Sequence, residues 1–306
     1  MPNILILGVF VADAAFRTER MPVVGETLLG SSFQLGPGGK GSNQAVAAAK
    51  AGGDVGFLSR IGADTFGQMG REVWSDAGVT PLVIEDPERP TGAAGIFIEE
   101  ASGKNAIIVA PGAAGAISVA DIDARADDIA QAKIAMTQLE QPMEAAFRFL
   151  QIAAGAGVTT ILNPAPAADL PEGMLALCDY VTPNETEAEA LTGLSVTTVE
   201  DALKAAKVLL ENGVRKGALI TLGENGSLFW DGTRAIHTRP MNAGPVVDTT
   251  GAGDAFNGGF ATALAAGHLI EKALDFATAT AALSVTKHGT AVAMPSRDQI
   301  EALLQS

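Results

Sequence analysis

Residues 241–256 read MNAGPVVDTTGAGDAF, and this stretch says more about the chain than any other. Its glycine-rich turn, Gly251-Ala252-Gly253, opens a predicted helix that begins with Asp254. The start of a helix leaves several backbone N–H groups without carbonyl partners, and the peptide dipoles add partial positive charge there. The pattern therefore predicts a turn that attracts anions.

Asp254 follows this turn directly, where a carboxylate would repel a phosphate held by the amides. Its position makes sense if it takes a proton from a hydroxyl that then attacks phosphorus. The alternative is a glycine C-cap or loop followed by an ordinary acidic residue in a first helical turn.

A second glycine-rich stretch, GPGGKGSN at 36–43, precedes the helix pattern QAVAAAKAGG at 44–53. Gly36, Gly38 and Gly41 satisfy the dinucleotide fingerprint G-x-G-x-x-G. In dinucleotide-binding folds that fingerprint directly follows the first core strand, whereas here about 25 residues separate it from Phe10 at the end of the predicted first strand. A Walker A loop would need glycine at position 34, where this chain has Gln34, and Ser or Thr at position 41, where it has Gly41. We therefore reject both a dinucleotide fingerprint and a Walker A loop for this stretch.

Together the two stretches closely resemble the signature regions of the ribokinase-like sugar kinase family, and its ribokinase branch in particular. Further landmarks occur in family order and spacing: NPAP at 163–166, TPNETEAE at 182–189, ITLG at 220–223 and TKHG at 286–289. The resemblance covers almost the whole chain. It implies ATP-dependent phosphorylation of the primary hydroxyl of a pentose, ribose to ribose 5-phosphate, by direct in-line transfer.

The composition fits an enzyme that acts on small molecules. With 306 residues and 47% hydrophobic residues the chain can bury a large core, and no linker divides it, so we expect a single domain over 1–306. A net charge of −15 argues against nucleic acid or an anionic membrane surface as a partner. ATP would then have to be received by local amides, Lys40 and Mg²⁺.

The compartment follows from two further features. Cys178 is the only cysteine, so no disulfide can form within the chain. The apolar segment 4–11 lacks a preceding Lys or Arg and is predicted as a buried strand rather than a signal peptide, and no apolar run reaches 18 residues. We expect a cytoplasmic protein.

Short β-branched runs alternate with alanine-rich amphipathic stretches, which is typical of an α/β fold with a mainly parallel central sheet and helices on both faces. The predicted strands are Ile4–Phe10, Val55–Ile61, Ile134–Leu139, Thr159–Leu162, Tyr180–Thr182 and Ala218–Thr221. Segments 14–35 and 91–110 break the alternation and read as extended pairs. The resemblance implies that they form a small β-sheet lid over the sugar; a sheet extension with no gating role is the alternative.

The resemblance implies that the following residues bind the sugar: Asp13, Gly39, Lys40, Asn43, Glu140 and Asp254. Carboxylates and amides suit this task because a sugar presents several hydroxyl donors in fixed directions. It further implies that Asp254 deprotonates or orients the hydroxyl while the amides of Gly251, Ala252 and Gly253 stabilise the transferred phosphoryl group. Lys40 would help to hold that group, and Mg²⁺ would bridge the phosphates.

For ATP and Mg²⁺ the resemblance implies contacts by Asn184, Thr221, Gly223 and Gly226, with Glu187 organising Mg²⁺ largely through water. Asn184 and Glu187 also match a capping box, and both roles are compatible. The histidines at 237, 268 and 288 lack metal-ligand spacing.

A monovalent cation site for K⁺ is implied beside the anion-binding turn. Its ligands would be Asp248 and backbone carbonyls of Thr250, Ser284, Lys287 and Gly289. Ala293 stands where the family pattern has a serine whose hydroxyl helps to bind the cation, so the site is expected to be weaker.

A second departure is Val11, which replaces the asparagine of the family's Asn-x-Asp pattern and leaves the sugar in doubt. A kinase for a nucleoside or another sugar is therefore an alternative, and a non-catalytic sugar or nucleotide sensor is another, disfavoured by the intact Asp254. An exposed edge of the lid sheet could also pair with a second copy of the chain in a homodimer.

Overall fold

Two separate sheets make up the β-structure of this computed structural model, which describes residues 1–305. The strands are β1 (Ile4–Leu7), β2 (Val11–Thr18), β3 (Ser32–Gly38), β4 (Val55–Gly62), β5 (Thr80–Asp86), β6 (Thr91–Glu99), β7 (Asn105–Gly112), β8 (Ile134–Thr137), β9 (Thr159–Leu162), β10 (Tyr180–Val181), β11 (Gly217–Thr221), β12 (Ser227–Trp230) and β13 (Ala235–Thr238). The helices are α1 (Lys40–Lys50), α2 (Thr65–Ala77), α3 (Val119–Asp123), α4 (Ala126–Gln131), α5 (Met143–Gly155), α6 (Glu185–Thr192), α7 (Val199–Glu211), α8 (Ala252–Ala265), α9 (Ile270–Ser284) and α10 (Arg297–Leu304).

The main sheet has nine strands in the order β13-β12-β11-β10-β9-β8-β1-β4-β5. The strands from β11 to β5 in this order run parallel, and β12 and β13 continue the sheet in antiparallel pairing. The central strand is buried on both faces: Ile4 and Ile6 pack with α1, α8 and α9, whereas Leu5 and Leu7 pack with α4 and α5. The predicted α/β architecture is confirmed.

The strand order reverses between β1 and β8. From β1 the chain proceeds through β4 to β5, and it then returns to the other side of β1 and proceeds from β8 to β11. In open parallel sheets such a reversal creates a crevice beyond the carboxyl ends of the strands, where ligands bind. The fold therefore predicts a ligand site at this edge of the sheet, where the carboxyl ends of the parallel strands meet.

The smaller sheet has the strand order β3-β2-β6-β7 and corresponds to the two segments predicted to break the alternation. Its strands are longer than predicted, since the pairing of β2 with β3 extends from Val11–Gly38 to Arg17–Ser32 and that of β6 with β7 begins at Thr91–Gly112. Val11 and Ala94 at its base belong to the same buried cluster as Leu5 and Leu7 of β1. The small sheet is thus anchored above the crevice.

Several predicted strand boundaries were wrong. The first strand ends at Leu7 rather than Phe10. At Gly8 the chain passes close to the start of α1, since a Cβ there would lie only 2.6 Å from the Cα of Gly41. The strand starting at Ile134 ends at Thr137 rather than Leu139. The strands β5, β12 and β13 were not predicted: β5 lies at the edge of the sheet, is only partly buried and contains Pro81, and therefore lacks a continuous buried run.

Candidate active site

A polar cavity opens at the carboxyl ends of β9, β10 and β11, facing the start of α8. Its lining comprises Lys40, Asn163, Ala165, Thr182, Asn184, Glu187, Thr221, Thr249, Gly251, Ala252, Gly253, Asp254 and Asn257. Eight of the residues predicted for catalysis or binding are among them. The structure thus brings the anion-binding turn, the predicted base and the Asn-x-x-Glu motif to one place.

Asp254 lies in the first turn of α8, and only 7% of its surface is exposed. Its Oδ2 accepts a hydrogen bond from Nδ2 of Asn43 (3.0 Å) and its Oδ1 accepts one from Nε2 of Gln44 (3.0 Å). Burial raises the pKa of Asp254, and the charge of Lys40 and these two hydrogen bonds oppose that rise. A carboxylate with a raised pKa is a better proton acceptor, as a general base requires.

Close packing of α1 against α8 brings these groups together. A Cβ on Gly258 of α8 would lie 2.6 Å from the Cβ of Ala47, so the two helices touch at this glycine. The first turn of α1 is thereby held within hydrogen-bonding distance of Asp254. Gln44 and its partner Gln138 were not singled out from the sequence, because the burial of a glutamine in an alanine-rich helix becomes visible only in the fold.

The predicted sugar-binding carboxylates meet at the base of the small sheet. The backbone N–H of Lys40 donates to Oε2 of Glu140 (2.8 Å). Burial raises the pKa of Asp13 to about 6 and that of Glu140 to about 7; Lys40 opposes the rise at Glu140, whereas the charges of Asp254 and Asp13 add to it. Glu140 is therefore close enough to both Asp13 and Asp254 to interact with them electrostatically.

Asn43 presents one unsatisfied atom. Its amide nitrogen is bonded to Asp254, but its Oδ1 is buried and has no hydrogen-bond partner. A buried acceptor without a partner costs about 1–3 kcal/mol, and a hydroxyl group bound beside it would remove that cost. The chemistry of Asn43 thus fits a ligand rich in hydroxyl groups.

Two glycines near Asp13, Gly36 and Gly38, differ in the space that a side chain would find there. In the pairing of β2 with β3, Gly36 lies opposite Asp13, and a Cβ there would meet nothing within 4 Å. A Cβ on Gly38 would lie 2.2 Å from Oδ2 of Asp13, so a side chain there would displace the Asp13 carboxylate. Gly39 has a positive φ of 88°, and its own Cβ would lie 2.5 Å from the carbonyl oxygen of Val9.

The predicted anion-binding turn has the required shape. Gly251 is the N-cap of α8 in the left-handed conformation, with φ 78°. A Cβ on Gly253, which lines the cavity, would meet nothing within 4 Å. The N–H of Ala252 donates to the carbonyl oxygen of Thr249 (3.2 Å), so in this conformation that amide is already engaged.

Asn184 and Glu187 form the capping box of α6. Oδ1 of Asn184 accepts from the N–H of Glu187 (2.9 Å), and Oε2 of Glu187 accepts from the N–H of Asn184 (2.9 Å). Oε1 of Glu187 accepts from Nδ2 of Asn184 (3.1 Å). Over residues 1–305 the structure contains no cluster of three or more His, Cys, Asp or Glu side chains that could hold a metal. Because both carboxylate oxygens of Glu187 accept hydrogen bonds from Asn184, the chemistry of this pair fits a hydrated Mg²⁺ contacted through water.

The glycines predicted for the nucleotide lie in the turn between β11 and β12. Thr221 lines the cavity, whereas Gly223 and Gly226 are not among its lining residues. A Cβ on Gly226 would lie 2.0 Å from the carbonyl oxygen of Thr238. The turn itself therefore requires this glycine, whatever it contacts.

The residues predicted for K⁺ lie on two adjoining loops. Asp248 accepts hydrogen bonds from the N–H groups of Thr250 (2.9 Å) and Gly289 (3.0 Å). Burial would raise the pKa of Asp248, but these hydrogen bonds outweigh that effect and hold its pKa below the ordinary value. The carbonyl of Ser284 already accepts from the N–H of Lys287 at 3.4 Å. Asp248 thus remains ionised and joins both loops.

Val11 is 5% exposed and lies two residues before Asp13 on β2, so both side chains point to the same face of the small sheet. It packs in the cluster that contains Val9 and Ala94. The position that carries asparagine in the family pattern is therefore apolar and close to Asp13.

Comparison with known proteins identifies the relatives of this site. The family model described as the pfkB family of carbohydrate kinases matches residues 1–297. The chain belongs to this family. This pfkB carbohydrate kinase is 39% identical to a ribokinase of Haemophilus influenzae over 300 residues, which cover 97% of the chain and 96% of that protein. It is 36% identical to a deoxyribokinase of Salmonella typhi, with coverage of 99% and 98%.

Its structure also matches that of Arabidopsis thaliana ribokinase complexed with ribose and ATP. The TM-score is 0.93 at 33% sequence identity, and the match covers 100% of this chain and 99% of that one. The predicted family resemblance and fold are thus confirmed, and the protein is a phosphotransferase that uses an alcohol group as acceptor. Within residues 1–305 no helix is both long and apolar enough to cross a membrane.

Proposed function

We propose that this carbohydrate kinase transfers the γ-phosphoryl group of ATP to the primary hydroxyl of a pentose. The observation that carries the proposal is the buried carboxylate of Asp254, held by Asn43 and Gln44 directly beside the open space over Gly253. A hydroxyl at Asp254 and a phosphate at the turn would be adjacent there. The ribokinase and deoxyribokinase relatives support a pentose as the acceptor.

In the proposed mechanism the sugar hydroxyl oxygen forms a bond to the γ-phosphorus while the bond from phosphorus to the β–γ bridging oxygen breaks. The hydroxyl proton passes to Asp254, and ADP leaves with the electron pair of the broken bond. The amides of Gly251 and Gly253, that of Ala252 on exchanging its bond to the Thr249 carbonyl for one to phosphate, and the ammonium group of Lys40 stabilise negative charge on the transferred group. Asp13, Gly39, Asn43 and Glu140 hold the sugar.

Asn184, Thr221, Gly223 and Gly226 are assigned to the nucleotide in this proposal. Glu187 would hold a hydrated Mg²⁺ through water, since both its oxygens already accept hydrogen bonds from Asn184. When bound, Mg²⁺ neutralises charge on the phosphates. K⁺ is proposed beside the turn, with Asp248 and carbonyls of Thr250, Ser284, Lys287 and Gly289 as ligands.

The small sheet is proposed to act as a lid over the sugar, formed by the segments inserted at 14–35 and 91–110 in a single kinase domain. Closure would exclude water and limit ATP hydrolysis. We assign the enzyme to the cytoplasm, a reducing compartment with which its single cysteine agrees. Proteolysis of the lid strands that is slowed by sugar would support closure, and equal cleavage with and without sugar would oppose it.

We also propose a homodimer formed through the small sheet. On one face of it Phe16 contacts both Phe33 and Phe97, and Phe33 is 57% exposed. The edge strands β3 and β7 are unpaired on their outer sides. Sedimentation velocity on the wild type and on Phe33→Ser tests this; a wild-type monomer at micromolar concentration would exclude it.

The assigned reaction is tested by an ADP-release assay with a panel of sugars and nucleosides. Sugar-dependent ADP formation is expected with ribose or deoxyribose, whereas a nucleotide or sugar sensor would bind its ligand without turnover. Asp254→Asn should lower turnover by ~10²–10⁴-fold, as loss of a general base does, while ATP binding and folding remain. A variant that keeps more than about half of wild-type turnover with sugar bound is incompatible with this role of Asp254.

A further inference from the structure

Buried amide side chains connect Asp254 to the carboxyl ends of two neighbouring strands of the main sheet. Gln44 has no exposed surface and donates through Nε2 both to Oδ1 of Asp254 and to Oδ1 of Asn163, each at 3.0 Å. Its Oε1 accepts from Nε2 of Gln138 at 2.6 Å, and Gln138 is also fully buried. Every polar atom of the Gln44 side chain is therefore engaged.

The orientation of these amides is set by the carboxylate. An ionised Asp254 offers only acceptors, so the amide nitrogen of Gln44 has to face it and the oxygen has to face Gln138. Gln138 must then donate. Reversing either amide would bring two acceptors or two donors face to face, so the charged form of Asp254 and the arrangement of Gln44 and Gln138 stabilise each other.

A second branch of the same network reaches the anion-binding turn. Nδ2 of Asn163 donates to the carbonyl oxygen of Thr182 (3.0 Å), and Oγ1 of Thr182 donates to Oδ1 of Asn257 (2.6 Å). Nδ2 of Asn257 donates to the carbonyl oxygen of Gly253 (2.8 Å). The base and the turn are thus held by one set of buried hydrogen bonds.

We propose that Gln44, oriented by Gln138, is a positioning residue that holds the Asp254 carboxylate in the conformation from which it accepts the proton of the sugar hydroxyl. The inference rests on the proposed role of Asp254 as the base. Gln44 is not among the residues that line the cavity, and its amide occupies the oxygen of Asp254 opposite to the one bound by Asn43. It acts through Asp254 and does not contact the substrate.

The charged groups that face Asp254 are Lys40 at the start of α1, Glu140 after β8 and Glu187 on α6. None of them changes when Gln44 is replaced. Loss of one hydrogen-bond donor to the carboxylate raises its pKa, since the charged form loses a partner. The proton-acceptor form of Asp254 would then appear only at higher pH.

The test is Gln44→Met, which keeps the length and apolar bulk of the side chain but removes the donor. We expect kcat to fall roughly 10-fold or more and the acidic limb of the kcat/KM profile to move up by about one pH unit, because hydrogen bonds to charged groups have about that strength. The KM for the sugar should stay near the wild-type value, since Asn43 and Glu140 are unchanged.

The matched control is Ser42→Ala on the same helix. It removes a buried hydrogen bond, Nε1 of Trp74 to Oγ of Ser42 (2.8 Å), that does not involve Asp254. We expect it to lower the melting temperature without moving the acidic limb. A Gln44→Met enzyme with the kcat and pH profile of Ser42→Ala would overturn the inference.

Gln138→Met decides the matter if Gln44→Met does not fold. It leaves the bond from Gln44 to Asp254 but removes the group that orients Gln44, so a smaller upward shift of the acidic limb is expected. An unchanged limb would count against the proposal. A wild-type enzyme without sugar-dependent ADP formation would instead refute the proposed function itself, so the two failures are distinguishable.

Discussion

Gly253 lies in the first turn of α8, and a Cβ there would meet no atom within 4 Å. Gly253→Ala should therefore fold with a melting temperature at or above that of the wild type, because alanine favours a helix by up to about 1 kcal/mol over glycine. Its methyl group would occupy space needed by the phosphoryl group, and turnover should fall roughly 10²-fold, the scale of losing one anion-stabilising donor.

Gly155→Ala is the control for this change. Gly155 ends α5, and a Cβ there also meets nothing within 4 Å, but it lies outside the cavity. Calorimetry and ADP-release rates on both variants separate the two effects. Wild-type turnover in Gly253→Ala would show that phosphate does not approach this turn.

Val11 is expected to set the preference among pentoses. Valine offers neither donor nor acceptor, so a ribose hydroxyl facing it loses a contact worth ~1–3 kcal/mol, or roughly 5- to 150-fold in affinity. Val11→Asn should shift the ratio of kcat/KM values toward ribose relative to deoxyribose or nucleosides. Val11→Leu, which has about the bulk of asparagine but no donor or acceptor, serves as control. A constant ratio in a folded Val11→Asn protein would mean that residue 11 does not face the sugar.

Some residues of the site could be predicted from the sequence and others could not. The glycine turn and Asp254 are adjacent in the chain, so local rules for helix starts were sufficient. Gln44 and Asn257 hold the same site through bonds to residues far away in sequence or in the neighbouring helical turn. Nothing in a single sequence distinguishes such amides from solvated ones.

At the level of elements, the loop between β13 and α8 meets the loop after α9 through Asp248. If K⁺ binds there, activity should be higher with K⁺ than with Na⁺ or a bulky organic cation at fixed ionic strength. Ala293, which is buried, supplies no hydroxyl, and water can fill that position. Ala293→Ser should increase the gain from K⁺. Equal rates with all three cations, in both proteins, would show that the loops bind no activating cation.

The pattern of apolar residues along the sequence predicted some strands of the main sheet and missed others. The six predicted strands all belong to the parallel part of the sheet, where helices cover both faces and most strand residues are buried and apolar. The strands β12 and β13 are only four residues long, and the edge strands β5 and β13 are partly exposed, so none of the three carries a long buried apolar run. The predicted end of the first strand was wrong next to a close contact between Gly8 and Gly41, which lie far apart in the chain. Local sequence does not encode such contacts.

For the whole molecule, the buried carboxylates predict how stability depends on pH. The folded-state pKa values of Asp13 (about 6) and Glu140 (about 7) exceed the ordinary values of 3.8 and 4.5. Between about pH 4 and 7 the folded state binds more protons than the unfolded chain, so the free energy of unfolding should fall as pH rises through this window.

Denaturant unfolding of the ligand-free protein from pH 5 to 7.5 measures this slope. Glu140→Gln should flatten it, whereas replacing an exposed carboxylate, as in Glu144→Gln, should leave it unchanged. An identical slope in the wild type and Glu140→Gln would show that Glu140 does not titrate in this range.

Gly36 lies opposite Asp13 and Gly38 lies beside its carboxylate, and the two glycines differ in how far the substrate range of this enzyme can be redesigned through them. A side chain introduced at residue 36 would project beside Asp13 into unfilled space, while any side chain at residue 38 would displace the Asp13 carboxylate. A library restricted to residue 36 should therefore yield folded enzymes with altered sugar preference. The same library at residue 38 should yield enzymes that have lost affinity for every pentose, and screening both against a sugar panel would reveal the contrast.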